Sequence, residues 1–425
     1  MLLLVCGIPF DTRSPHASSA ARPGIGWGFT HTQFSADQGT DRAVERAERL
    51  LSANPVPQNQ HIMGWGARNP EPSPGHYDFT DLDRRIAFVR RTGGTPVLTL
   101  CCAPDWMKGG RAGDTDWSAL EKAPDPAHYA DFAALAGKIA RRYPDVRNFV
   151  VWNEFKGFFD DSLGRWNYEG YTRLYNLVHR EVKKVNRDNR VGGPYVVMDS
   201  QVSGDGEYAS ELKGTWGTVD RRSLDALTYW NRHKTGADFV VVDGSSYSKS
   251  HRYAPDPFAA TRKFADVGRW IRKETGLPLW WAEWYVEVAD ENDKRGGWTE
   301  RKRTAAQATA LIEMAAGGAT GGFYWNPQNE GADCPGCLWR STELADGGRE
   351  LAMMRLLSRF SRAFPPGTRP ADVDVAGDGR SAVRALAGGR TVLVVNTGSR
   401  RSSVTVDGQG VALDGYEVRW LKRAA

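Results

Sequence analysis

Short apolar runs alternate with longer stretches of helical periodicity through most of the chain. The clearest run, 146–154, is dominated by β-branched and aromatic residues until an amide and a carboxylate end it. Such runs are typical of strands buried on both faces of a parallel sheet. The following stretch, 168–186, instead places Leu174, Val178 and Val182 at helical spacing. The pattern therefore predicts a buried strand followed by an amphipathic helix.

Eight such strand-then-helix units follow one another in the sequence. The predicted strands cover residues 25–34, 61–65, 95–102, 146–154, 191–197, 239–242, 277–285 and 322–325. The predicted helices cover residues 41–53, 83–91, 126–143, 168–186, 221–233, 258–273, 301–316 and 349–364. A right-handed crossover at each step closes a parallel barrel, so we predict a (β/α)8 TIM barrel. A doubly wound open sheet is the competing topology, but it rarely needs eight units and usually carries a Gly-rich turn after its first strand.

The pattern changes after residue 364, where Pro365, Pro366, Gly367 and Pro370 predict a linker. Beyond it, short alternating segments are separated by Gly-containing turns, which is typical of β-strands. These predicted strands cover residues 372–375, 382–386, 391–396, 403–406 and 416–421. We therefore predict a barrel over 25–364 and a small, β-sandwich-like all-β domain over 365–425. A domain of this size needs further packing partners, so we expect it to lie on the barrel, with 1–24 as a flexible segment that contributes to it.

Composition excludes several classes of protein. The 425 residues carry a net charge of +5 spread along the chain, without the basic stripe and motif of a nucleic-acid-binding protein. The sequence contains no run of 18 apolar residues, so no membrane span is predicted. The apolar start, Met1–Val5, lacks the charged region and the length of a secretory signal. The 16 tryptophans are unusual, because Trp offers a flat apolar surface that suits a sugar ring as well as a protein core.

The chain has five cysteines. Cys101 and Cys102 are adjacent on a predicted strand, so we expect them to face opposite ways as small core residues. Cys334 and Cys337 form a Cys-Pro-Gly-Cys loop, for which a structural disulfide is favoured over a redox pair or half of a zinc site. Zinc is disfavoured because no second close-set Cys/His pair is visible, and we expect neither a metal nor a cofactor.

Two acids end apolar runs in matching contexts: Glu154 at the fourth predicted strand and Glu283 at the seventh. Barrel enzymes keep their chemistry at these strand ends, so a closed barrel would bring the distant acids together. Paired carboxylates amid aromatic residues indicate hydrolysis of a glycosidic bond. Asn153, beside Glu154, supplies an amide that we expect to bind a sugar hydroxyl. The alternative, that each acid simply pairs with an Arg, is weaker for two acids in matching contexts.

The motifs Trp152-Asn153-Glu154 and Glu283-Trp284 resemble those of retaining (β/α)8 glycosidases with two catalytic glutamates. Further segments resemble glycoside hydrolase family 39 in particular, which includes β-xylosidases and α-L-iduronidases. These segments are Tyr77, Phe79 and Asp83, Pro104 and Trp106, the aromatic stretch 155–159, and Tyr324-Trp325. The resemblance covers roughly the predicted barrel.

This resemblance implies that Glu154 is the general acid/base and Glu283 the nucleophile. It also implies that Tyr247 orients the nucleophile through its hydroxyl. The sequence departs from the family at Ser245, where a His usually stands, and this leaves the sugar open. A retaining mechanism requires carboxyl groups about 5 to 5.5 Å apart. It also requires a proton donor with a raised pKa beside an ionised partner.

Several other residues are candidates for binding the substrate. For each of them an ordinary structural role, such as core packing or a satisfied histidine, competes with the functional one. The candidates for stacking on a sugar are Trp106, Trp284 and Trp325, and those for reaching its hydroxyls are His31, Trp65 and Asn326.

The sequence therefore predicts a retaining, β-xylosidase-like glycoside hydrolase acting on a plant or microbial oligosaccharide or polysaccharide. A non-catalytic carbohydrate-binding barrel and a transglycosylase using the same glutamates are the alternatives. Such substrates are usually extracellular, which favours secretion, although a cytoplasmic location stays open. The sugar, its linkage, exo or endo action, and the oligomeric state are not determined by the sequence.

Overall fold

The computed structural model describes residues 24–202, 206–289 and 296–423. The α-helices in these ranges are α1 (Asp41–Ala53), α2 (Thr80–Arg91), α3 (Tyr129–Arg142), α4 (Tyr168–Val185), α5 (Arg221–His233), α6 (Arg262–Thr275), α7 (Glu300–Ala316) and α8 (Ala352–Ala363). The strands up to residue 220 are β1 (Gly26–Thr30), β2 (Pro57–His61), β3 (Thr95–Leu100), β4 (Asn148–Val151), β5 (Phe159–Asp160), β6 (Arg165–Trp166), β7 (Arg190–Val197), β8 (Ser200–Gln201), β9 (Ala209–Gly214) and β10 (Gly217–Asp220). The later strands are β11 (Phe239–Ser245), β12 (Leu279–Tyr285), β13 (Ala319–Tyr324), β14 (Val375–Ala376), β15 (Val383–Gly388), β16 (Thr391–Asn396), β17 (Ser402–Val406), β18 (Gln409–Leu413) and β19 (Val418–Lys422).

Eight parallel strands of the described chain close a barrel in the order β1-β13-β12-β11-β7-β4-β3-β2. The ring closes where β1 pairs with β13 on one side and with β2 on the other. The predicted (β/α)8 barrel is confirmed, and the doubly wound alternative is wrong. In this fold the carboxyl ends of β4, β11 and β12 meet at one mouth.

The second barrel strand differs from its prediction. We expected it at 61–65, but β2 is the polar segment Pro57–His61, every residue of which is buried. Its polar side chains are satisfied inside the protein: Gln58 accepts a hydrogen bond from His31 (2.9 Å), and Asn59 accepts one from Thr99 (2.9 Å). Buried polar groups with partners are tolerated, so the hydrophobic pattern did not reveal this strand.

The barrel interior is filled by large side chains. Val97, Val150, Val241, Trp280 and Phe323 form one buried cluster within the ring. A larger cluster lies between the strands and the surrounding helices. Because side chains fill the barrel, a substrate can reach only its open ends.

The C-terminal segment forms two three-stranded antiparallel sheets, β14-β17-β18 and β15-β16-β19. Strand β18, a Gly-containing segment, was not predicted. Trp420 and Tyr416 from this segment lie against Phe360 (ring centroids 6.5 Å apart) and Phe258 (5.7 Å) on the barrel side. The division at residues 364 and 365 stays a proposal. The expected role of residues 1–24 concerns positions that, apart from Gly24, lie outside the described residues.

Two pairs of cysteines are disulfide-bonded. Cys334 is bonded to Cys337, the pairing favoured by the sequence. Cys101 and Cys102 are bonded to each other across a cis peptide. The expectation that their side chains face opposite ways is therefore wrong, because the bond draws both sulfurs to one side.

No helix in the described part of the chain is both long enough and apolar enough to cross a membrane.

Candidate active site

The backbone turns sharply where β4 ends. Trp152, Glu154 and Phe155 all have left-handed φ angles, of 69°, 48° and 54°. Non-glycine residues in this conformation cost about 1 to 3 kcal/mol each, and such strain tends to cluster at functional sites. The turn is held by the Trp152 indole, whose Nε1 donates to the Lys156 carbonyl at 2.8 Å. The turn carries the partly exposed carboxyl of Glu154 into the barrel mouth.

Glu283 lies on β12 and is 4% exposed. The hydroxyl of Tyr195 donates to its Oε1 at 2.6 Å, and the hydroxyl of Tyr285 donates to its Oε2 at 2.6 Å. Hydrogen bonds to a carboxylate are among the stronger ones, so both oxygens are fixed in orientation. Tyr195 comes from β7 and Tyr285 from the end of β12, so two barrel strands position this acid.

A third acid, Asp243 on β11, joins the two predicted ones. Carboxyl oxygens of Glu154, Asp243 and Glu283 all lie within 4.8 Å of one another. Lys156 compensates part of this negative charge, because its Nζ is 3.2 Å from Glu154 Oε2. Carboxylate oxygens also bind hard cations. Since Lys156 already supplies a positive charge beside Glu154, we interpret the cluster as an acid–base site.

The pKa shifts in this cluster oppose the sequence expectation. Burial and the charge of Glu154 raise the pKa of Glu283 to about 8, although its two tyrosine hydroxyls oppose the rise. Burial acts to raise the pKa of Glu154, but the hydrogen bond with Asp243 and the charge of Lys156 outweigh it, so this pKa is lowered. Burial, together with the charge of Glu154, raises the pKa of Asp243 well above its usual range. The expected donor therefore holds its proton less tightly than its neighbours.

Aromatic side chains and unpaired polar atoms line the mouth beside these acids. The His61 ring lies 4.3 Å from the ring of Trp65 and 6.2 Å from that of Trp325, and Lys156 Nζ is 5.8 Å from the Trp65 ring. Both tryptophans are only partly buried. Because Lys156 also contacts Glu154, this aromatic group adjoins the acids.

His61 and Asn153 carry buried polar atoms that are not satisfied by the protein. Both ring nitrogens of His61 and Oδ1 of Asn153 lack a hydrogen-bond partner among the described residues. The Asn153 amide lies close enough to His61 to act against the lowering of the His61 pKa described next, although no hydrogen bond of ordinary geometry joins the two side chains. Burial, and then the charge of Lys156, lower the pKa of His61 to about 3. The imidazole is therefore neutral and offers one donor and one acceptor to a ligand.

Two predicted binding residues belong to the protein interior. His31 is fully buried, and its ring nitrogens bond to Ser35 Oγ (2.6 Å) and Gln58 Oε1 (2.9 Å). It has no nitrogen left for a sugar hydroxyl, so that expectation is wrong. Trp284 is 1% exposed and packs edge-on against Tyr324, with ring centroids 5.1 Å apart. Without an exposed face it cannot stack on a sugar, and that expectation is also wrong.

The other predicted binding residues stay candidates. Trp106 is partly buried and donates from Nε1 to the Glu71 carbonyl at 2.8 Å, which fixes its ring. The ring of Tyr247 lies edge-on to that of Tyr253, with centroids 6.0 Å apart. Asn326 follows β13, is 8% exposed and has a φ of 67°.

Sequence reasoning missed Tyr195, Tyr285, Asp243, Lys156 and His61. For Asp243 a signal was present, since it is a lone acid that directly follows the apolar run of β11, a strand that we ended at residue 242, three residues too early. Tyr285 likewise falls two positions after Glu283, and side chains at this spacing point to one face of a strand. Tyr195 had no such signal, because it follows Gly193 and Pro194 in a strand that is apolar after its first residue, Arg190.

Comparisons with known proteins concern the sequence and the fold. No protein-family model matches the chain. A β-xylosidase from Caldicellulosiruptor saccharolyticus is 26% identical over 220 residues, which cover 49% of this chain and 40% of that protein. The chain thus spans less than half the length of this curated relative.

Solved structures extend the likeness to nearly the whole chain. A monomeric β-xylosidase from Caulobacter crescentus CB15 has a TM-score of 0.56 and 17% identity, over 90% of this chain and 76% of that one. A family 39 glycoside hydrolase from Bacteroides cellulosilyticus WH2 has a TM-score of 0.60 and 13% identity, over 95% and 81%.

In fold, the chain is a (β/α)8 barrel with paired acids at the C-terminal ends of its strands. Within that class it is similar in sequence to a β-xylosidase and in fold to glycoside hydrolases of family 39. The resemblance noted in the sequence is confirmed.

Proposed function

We propose that the protein is a retaining glycoside hydrolase that cleaves O-glycosidic bonds by double displacement. The observation that carries this proposal is the separation of Glu154 and Glu283, whose carboxyl oxygens lie within 4.8 Å of one another. Retaining enzymes have carboxyl groups about 5 to 5.5 Å apart, whereas inverting enzymes need about 6.5 to 9.5 Å to admit a water. A nucleophilic carboxylate thus suits this spacing better than a water held between two acids.

In the first step, Glu283 attacks the anomeric carbon while Glu154 gives its proton to the departing oxygen. In the second step, Glu154 takes a proton from the water that hydrolyses the glycosyl ester. The repulsion that raises the pKa of Glu283 falls when Glu154 is protonated. The two acids thus exchange one proton, and the reactive form has Glu154 protonated and Glu283 ionised.

The aromatic mouth supports a sugar as the substrate. Trp65 and Trp325 offer partly exposed rings, while the unpaired atoms of Asn153 and His61 offer hydrogen bonds to hydroxyls. Given the similarity to a β-xylosidase, we propose a β-xylosidase-like action on a plant or microbial oligosaccharide or polysaccharide. Because such polymers lie outside cells, we also propose that the protein is secreted.

A panel of nitrophenyl glycosides tests the activity. It should include the xyloside, arabinoside, galactoside and glucoside, with the first product anomer followed by NMR. We expect hydrolysis of at least one glycoside with retention of configuration. Inversion would contradict the roles given to the two acids, and no hydrolysis of any glycoside would favour a carbohydrate-binding barrel. Products larger than the substrate at high acceptor concentration would indicate transglycosylation.

Glu154→Ala tests the acid separately. We expect this variant to lose most activity on glycosides with poor leaving groups and to keep activity on dinitrophenyl glycosides, whose leaving group needs no proton. Full activity on an oligosaccharide would show that Glu154 is not the acid.

A further inference from the structure

Double displacement uses two of the three clustered acids and leaves Asp243 without a role. This residue projects from β11, which lies between β7 and β12 in the ring, and it is 2% exposed. Its Oδ2 is buried and has no hydrogen-bond partner among the described residues. A buried acid without a role in the proposed reaction therefore touches the reacting pair.

The three acids differ in what balances a negative charge on them. Glu154 has the Lys156 ammonium 3.2 Å away, and Glu283 accepts two tyrosine hydroxyls at 2.6 Å. Among the described residues, no cation or hydroxyl donor is bonded to Asp243 Oδ2. The buried Lys263 ammonium on α6 acts on Asp243 only at longer range, and it donates to Ser200 Oγ at 2.9 Å. Adjacent buried carboxylates cannot all be ionised at low cost, so the acid that is not in contact with a cation or a hydroxyl donor keeps its proton.

We propose that Asp243 is a neutral carboxylic acid whose hydroxyl donates a hydrogen bond to Glu154 and positions it as the proton donor. This inference depends on the proposed glycosidase function. Burial, and then the charge of Glu154, raise the pKa of Asp243, in agreement with a protonated side chain. The contact between the two also lowers the pKa of Glu154, as a donor to a carboxylate must.

The hydrogen bond from Asp243 strengthens during the reaction. In the first step the O–H bond of Glu154 breaks and an O–H bond forms on the departing sugar oxygen. At the same time the glycosidic C–O bond breaks and an ester bond forms to Glu283. Glu154 gains negative charge as its proton leaves, while Asp243 keeps its own proton throughout. A hydrogen bond to a charged acceptor is stronger than one to a neutral acceptor, so the donor stabilises the transition state more than the ground state.

Two substitutions test whether Asp243 acts as a neutral hydrogen-bond donor or as an ionised carboxylate. Asp243→Asn keeps a neutral donor of the same shape, so kcat/KM should stay within a few-fold of wild type. Asp243→Ala removes the donor and should lower kcat/KM on the phenyl glycoside by about 10- to 150-fold, the range for a hydrogen bond to a charged group. On the dinitrophenyl glycoside, which needs no acid, the loss should be small. In Asp243→Ala, the alkaline limb of the plot of kcat/KM against pH should also move to higher pH, because Glu154 would lose a group that lowers its pKa.

Asp220→Asn is the matched control. Asp220 is also a buried aspartate, but it pairs with Arg222 at 2.6 Å and caps α5. Asp220→Asn should not increase the difference in kcat/KM between the phenyl and the dinitrophenyl glycoside. The intact mass of Asp243→Asn is followed as well, because an amide before Gly244 is prone to hydrolysis.

Infrared spectroscopy tests the protonation without any turnover. At neutral pH the proton shared by Glu154 and Glu283 should itself give one carbonyl stretch of a protonated carboxylic acid, so wild-type protein should show that band together with a second one from Asp243. Asp243→Asn should remove only the second band, and Asp220→Asn should leave both. Absence of a band that Asp243→Asn removes, an inactive but folded Asp243→Asn, or an equal loss on all leaving groups in Asp243→Ala would overturn the inference. Absence of glycosidase activity in wild type with the Asp243 band present would instead refute the proposed function, and with it the catalytic role of Asp243, but not its neutral state.

Discussion

Replacing Tyr195 with Phe tests how Glu283 is held ionised. The substitution removes one hydroxyl, which donates to Glu283 Oε1 at 2.6 Å in the fully buried barrel interior. This hydroxyl lowers the pKa of Glu283, so its loss should raise that pKa. The proton that the two glutamates share would then lie more often on Glu283 and less often on Glu154, and less of the enzyme would be in the reactive form.

The size of the effect follows from the kind of hydrogen bond lost. A hydrogen bond to a charged group contributes about 1.5 to 3 kcal/mol, which corresponds to a fall in kcat/KM of about 10- to 150-fold. The alkaline limb, expected near pH 8 in the wild type from the pKa of Glu283, should move upward by about one to two pH units. The assay is kcat/KM against pH on the best nitrophenyl glycoside of the panel.

Tyr175→Phe is the control for this experiment. Tyr175 is also buried, but its hydroxyl donates to the Gly236 carbonyl at 2.9 Å and not to one of the clustered acids. This variant should lose some stability and leave the pH profile in place. If Tyr195→Phe kept both the wild-type kcat/KM and the wild-type alkaline limb, the role given to Tyr195 would be refuted.

Three further predictions concern stability and binding. Burial lowers the pKa of both His31 and His61 to about 3, so each histidine binds a proton in the unfolded state that it does not bind in the folded state. Each should therefore lower the stability below pH 6.5, by about 2 kcal/mol at pH 5, and His31→Gln should remove the His31 share of this dependence in urea titrations. Trp325→Ala should raise KM several-fold with little effect on Tm, because its ring is partly exposed at the mouth. Trp284→Ala should instead lower the stability by about 3 to 5 kcal/mol, because its ring is buried. The reverse pattern would contradict the assignment of Trp325 to sugar binding and of Trp284 to the core. Glu287→Gln breaks a buried ion pair with Arg303 and should lower the free energy of unfolding in urea by about 3 to 5 kcal/mol. The double variant Glu287→Leu with Arg303→Met should recover much of this loss. A loss below about 1 kcal/mol for Glu287→Gln would show that the pair is not buried in solution.

The fold was predictable because its units repeat. Apolar strands and amphipathic helices alternate, so α1 and α5 begin and end where the sequence placed them. The second strand was misplaced because its polar side chains are satisfied by neighbouring strands, which only the folded structure supplies. Periodicity locates strands that bury apolar residues, and it overlooks one that buries amides.

The candidate site was predictable only where residues share a local context. Glu154 and Glu283 each end an apolar run, and the barrel brings them together as expected. The residues that set their protonation, among them Tyr195 and Asp243, come from other strands. Their contacts with the acids depend on the order of strands around the ring. For the same reason the sequence predicted two acids but not the pKa shifts that their neighbours cause.

The most direct test of the account is to trap the glycosyl-enzyme intermediate. Wild-type protein is incubated with a 2-deoxy-2-fluoro glycoside that has a dinitrophenyl leaving group and the sugar preferred in the panel, and the labelled peptide is identified by mass spectrometry. We predict one sugar per chain, attached to Glu283 and absent from Glu283→Gln. A label on another residue, or turnover with inversion and no label, would contradict the claim that Glu283 attacks the anomeric carbon.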